Sequence, residues 1–89
     1  MPVLYATQIL PLFRPNDIAC MAGRGIPLDD FAYMSDPAGD ADYPDHANAR
    51  HVYGRLTGAE TPQMPPDVPG RWNAAYLTLY QQWMTDGFH

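Results

Sequence analysis

Apolar residues in this chain recur at helical rather than strand spacing. In the clearest stretch, Trp72, Tyr76, Leu79, Tyr80 and Trp83 fall on one stripe at intervals of mostly three or four residues. Asn73, next to Trp72, is an N-cap and Gly87 follows the stripe as a C′ glycine, which predicts a helix over 73–86. A second stripe, Ala49, Val52, Tyr53 and Leu56, predicts a helix over 45–57, led by Pro44 and Asp45 and closed by Gly58. Two shorter helices are expected. Over 16–22, Asn16 is the N-cap, Asp17 faces the positive end of the dipole, Ile18 and Met21 form the buried edge, and Gly23 and Gly25 stop the helix. Over 29–35, Asp29 is the cap and Phe31 and Met34 are an i, i+3 apolar pair.

The connecting segments read differently. Pro11 and Pro15 push residues 1–15 toward an extended lead-in. Residues 36–44 carry every turn signal, and 59–71 hold Pro62, Pro65, Pro66 and Pro69. No stretch alternates with period two. The expected fold is all-α: a small orthogonal bundle of about four short helices with long Pro/Gly-rich loops, forming one domain over 1–89.

Composition narrows the function. The chain has 89 residues and a formal charge of -5, and its five basic side chains are all arginine. A field of that sign disfavours nucleic acid and anionic lipid, so neither is an expected partner. The absence of lysine is read as GC-rich coding before any interface preference, although Arg50 and Arg55 are placed to reach the acidic loop. Pro11 interrupts the apolar stretch Ile9–Phe13 and no positive segment precedes it, so a cytoplasmic location and no membrane are expected. Cys20 is the single cysteine, so no internal disulfide can form; it reads as a small buried residue, not a nucleophile.

Candidate chemistry is sparse. The run Asp40-Ala-Asp42-Tyr-Pro-Asp45-His46 can hold a hard cation, but it lacks the EF-hand register. Its simpler reading is a solvated acidic loop with Asp45 at a helix N-terminus. His46 and His51 are five apart, about 140° around a helix, so they do not present the i, i+4 pair of a zinc site; adding His89 needs the C-terminus to fold back. No Ser-His-Asp pattern or phosphate loop is present, and Gly23-Arg24-Gly25 is a turn, not a dinucleotide fingerprint. No catalytic, cofactor or metal-binding residue is assigned, and no cofactor is expected.

Three segments in order, Ile9-Leu-Pro-Leu-Phe13, Gln63-Met64-Pro65-Pro66 and Leu79-Tyr-Gln-Gln-Trp83-Met-Thr-Asp-Gly87, resemble the lead-in, methionine loop and final helix of small class I cytochrome c domains. Where that family attaches haem, this chain reads Asp17-Ile18-Ala19-Cys20-Met21, without the first cysteine or the histidine. The resemblance therefore implies a helical scaffold without haem, its pocket refilled by Met21, Met34, Phe31 or a partner.

With a thin core and many rings, the chain is expected to be a non-catalytic accessory or interaction module, docking on a larger protein such as an oxidoreductase or on its own copies. The expected contact residues are Met64, Pro65, Pro66, Trp72, Tyr76, Tyr80 and Phe88. The alternative is a small metal or haem carrier, suggested by the acidic loop and the five methionines.

Overall fold

The computed structural model describes residues 2–61, 63–64 and 71–89. A π-helical turn, Tyr5–Ile9, runs into a 3₁₀ turn, Leu10–Leu12. Four α-helices follow: α1 (Pro15–Gly23), α2 (Phe31–Met34), α3 (Ala47–Thr57) and α4 (Ala74–Thr85). Among the described residues the structure is helical with no strand.

The lead-in is thus wound, not extended. Pro11 is tolerated because it sits in the first turn of the 3₁₀ segment, where no N–H partner is needed. For the same reason Pro15 opens α1, which makes Arg14, not Asn16, the N-cap. Asp17 closes that end: its carboxylate accepts from the Arg14 backbone N–H at 3.1 Å and from Arg14 Nη2 at 2.8 Å. In α2 the cap is Asp30, not Asp29; its side chain accepts from the amides of Ala32 and Tyr33. Met34 is buried, whereas Phe31 is 47% exposed, so the predicted i, i+3 pair splits across the surface. Cys20 is exposed as well. It lies about 100° around α1 from buried Met21, so phase and not residue type decides its place.

α3 begins two residues later than its pattern suggested, after His46 in a left-handed conformation (φ 47°), and ends at Gly58 (φ 88°). α4 matches expectation closely. Asn73 Oδ1 accepts from the Tyr76 amide at 2.9 Å, and Gly87 (φ 107°) follows the helix.

Trp83 stands at the centre of the core. Its ring meets Tyr5 at 4.9 Å, Tyr80 at 5.3 Å and Phe88 at 5.2 Å between centroids. Trp72 extends the cluster to Phe13 at 4.8 Å. Ala49, Val52 and Leu56 supply the α3 side. The polar ends of the rings are satisfied: Tyr5 donates to the Leu28 carbonyl at 2.5 Å and Tyr80 to the Ala49 carbonyl at 2.8 Å. Burial pushes both hydroxyls far above their ordinary pKa. The chain ends are tied together, with the Tyr5 amide donating to the His89 carbonyl at 2.8 Å and the Val3 amide to Asp86 at 2.9 Å. A radius of gyration of 12.1 Å matches the about 12 Å expected of a tightly packed chain of this length.

The interior holds most of the C-terminal rings, though not all five. Trp72, Tyr80, Trp83 and Phe88 are all buried, and of the five C-terminal rings only Tyr76, at 39%, is exposed.

Candidate functional site

The acidic loop, α3 and the segment after Gly58 converge on His51. The loop tip is shaped by Asp40, whose Oδ1 accepts from the amides of Asp42 and Tyr43, each at 2.9 Å. Gly39 is required there, because a Cβ would collide with the Pro44 and Tyr43 carbonyls. This turn leaves Asp40 Oδ2 facing His51 Nε2 at 2.6 Å, with Asp42 at 3.6 Å. On the other side Gly58 reverses the chain and Glu60 returns over α3, its amide bonded to the Gly54 carbonyl. Gly54 makes room for that side chain, since a Cβ at 54 would strike the Glu60 carboxylate. Glu60 Oε1 then lies 2.7 Å from His51 Nδ1, and its Oε2 accepts from the Tyr43 hydroxyl at 3.2 Å. The Tyr43 ring meets the imidazole edge-on at 4.8 Å.

Carboxylates only accept, so a ring held between two of them carries a proton on each nitrogen. The hydrogen bonds to Glu60 and Asp40 raise the pKa of His51 above its ordinary value against the opposing effect of burial, and the bond from His51 lowers that of Asp40. The donor atoms of Asp40, Asp42 and His51 lie within 4.8 Å of one another, but in this arrangement the doubly protonated ring has no lone pair to offer. The same commitment leaves the imidazole unsuited to act as a general base.

The other expected participants are distributed elsewhere. Asp45 does not cap α3; its carboxylate binds Arg50 Nη2 at 3.0 Å and His46 Nδ1 at 2.7 Å, and both bonds lower its pKa. His46 stacks flat on Phe88 at 3.7 Å, which supports its strained backbone. The His89 carbonyl accepts from Trp83 Nε1 at 3.1 Å. The three histidines therefore serve three separate contacts. Arg50 reaches the acidic loop as expected. Glu60 and Tyr43 were not anticipated; the only cue was Gly58, which marks the reversal that returns Glu60 to the helix.

Of the expected contact residues, Met64, Trp72, Tyr80 and Phe88 are core, Tyr76 is exposed, and Pro65 and Pro66 lie outside the described residues. The exposed side of α4 holds a different surface: Ala74, Ala75, Thr78, Leu79 and Gln82 line a shallow, apolar depression. No helix among the described residues is long and apolar enough to cross a membrane. Compared with known proteins, the chain matches no family model, no curated protein and no solved structure.

Proposed function

We propose that the chain is a non-catalytic interaction module that docks on a larger protein through the outer side of α4. One observation carries this reading. The twelve residues of α4, Ala74–Thr85, include no Asp, Glu, Lys, Arg or His, although its outer side faces solvent. A surface helix ordinarily turns charge outward. Centres of protein interfaces are depleted in charge, because an ionised group there must be desolvated. The partner surface is correspondingly apolar and uncharged. The docking site thus moves from the buried rings to the Ala75–Thr78–Leu79 side of the same helix.

The haem-less reading of the cytochrome c resemblance is compatible with Met21, Met34 and Met64, all buried and able to fill a vacated pocket. Phe31, exposed at the surface, is not among those fillers.

Size-exclusion chromatography of untagged protein in native extract tests the proposal. Untagged protein is expected to elute well above 10.0 kDa, and Thr78→Glu to elute at its own mass with unchanged circular dichroism. Elution of the native chain at its own mass contradicts docking.

A further inference from the structure

We infer that His51 is a proton-operated latch that fastens the tip of the 36–45 loop, and with it the Tyr43 ring, beside the cleft between α3 and α4. The geometry is two-sided: Nε2 on Asp40 Oδ2 at 2.6 Å, Nδ1 on Glu60 Oε1 at 2.7 Å. A neutral imidazole has one N–H and satisfies one carboxylate only; the other then faces a lone pair. Loss of one proton therefore turns an attractive contact into a repulsive one at the point where the loop tip meets the rest of the chain.

The surroundings favour the charged ring. Asp40 and Asp42 face it from the loop, Glu60 from the segment after α3, and the Tyr43 hydroxyl reaches Glu60 from the loop. On α3 itself Arg50 is engaged by Asp45, and Arg55 lies one turn further along. The base of the loop is held independently, by the His46 amide on the Pro37 carbonyl and the Ala47 amide on the Ala38 carbonyl. The tip hangs on a single carboxylate: Asp40 Oδ1 holds the Asp42 and Tyr43 amides while its Oδ2 holds His51, so freeing Oδ2 lets the carboxylate turn and loosens both amide bonds. Tyr43 forms one wall of a cleft of about 300 Å³ whose other walls include Tyr53, Thr57, Gln81 and Met84. Release of the tip withdraws that wall.

The direction in pH follows from the two carboxylate-bound groups. A histidine whose folded-state pKa is raised gives a contact fully present below its unfolded value, about 6.5, and lost as the pH climbs through the folded-state value. Asp40, whose pKa is lowered, gives a contact present above about 3.8 and lost as the pH falls through its folded-state value. The latch is thus closed in mildly acid solution and opens on the alkaline side.

The test combines histidine NMR titration with hydrogen-exchange protection of the Asp42 and Tyr43 amides, each referenced to its intrinsic rate. His51 is expected to titrate above 6.5, and Asp40→Asn and Glu60→Gln each to lower that value. Protection of the two amides should fall as the pH rises, by about tenfold for each unit by which His51 stands above 6.5, and stay flat in His51→Gln. Upfield signals shifted by the Trp83 ring report that each variant is folded, and either carboxylate variant suffices if the other is not. A His51 titration at or below 6.5, or protection that stays flat in the native chain, overturns the latch. So does a titration that moves on adding EDTA, since a metal ion would then occupy the ring.

Discussion

The inward and outward sides of α4 both lack charge, but for different reasons. Inward, Tyr80 and Trp83 are sealed among Tyr5, Trp72 and Phe88, where an ionised group would have no water and no partner. Outward, Ala74, Ala75, Thr78 and Gln82 are exposed, and nothing among the described residues accounts for the absence of charge. The first side shows how so short a chain holds its fold, through rings packed edge-to-face or tilted, with the buried Tyr5 and Tyr80 hydroxyls each bonded to a carbonyl. The second is the surface on which the proposed docking rests.

Substitutions can separate the two sides. Trp83→Ala, which empties the centre of the ring cluster, should lower unfolding free energy by about 3–5 kcal/mol in a denaturant titration. Tyr80→Phe removes one of two bonds to the Ala49 carbonyl, which keeps its place in the α3 ladder, and should cost about 0.5–1.5 kcal/mol by the same measurement. Asn73→Ala removes the cap that sets the start of the helix and should cost about 1 kcal/mol. Thr78→Glu, on the outward side, should change stability by no more than about 0.5 kcal/mol while abolishing docking. If it destabilised the chain as the inward variants do, the two sides would not be distinct.

Much of α4 was legible in the sequence, because a 3.6-residue stripe, a capping asparagine and a C′ glycine all give the same limits. The stripe did not show whether its rings are exposed. Phe88 closes over Trp83 only because Gly87 and Phe88 itself take positive φ values and turn the chain back, a step without apolar periodicity. For Cys20, residue type suggests burial, but its phase relative to buried Met21 is the better guide. At the loop site, the acidic run and His51 were visible individually. Their convergence was not, because it depends on Glu60 returning across Gly58 and on Gly54 leaving room for it, contacts with no fixed sequence spacing. The pattern puts Asp45 at the start of the helix, but it lies before the His46 N-cap, and Arg50 and His46 engage its carboxylate instead.

Site-specific photo-crosslinking in native extract tests the docking surface most directly, with the photoreactive residue at Thr78 or, as a control, at the exposed loop residue Ala41. The proposal predicts one discrete, larger adduct from position 78 and none from 41, with the captured protein bearing the label on an uncharged apolar surface. No adduct from 78, or the same adducts from both positions, would contradict it.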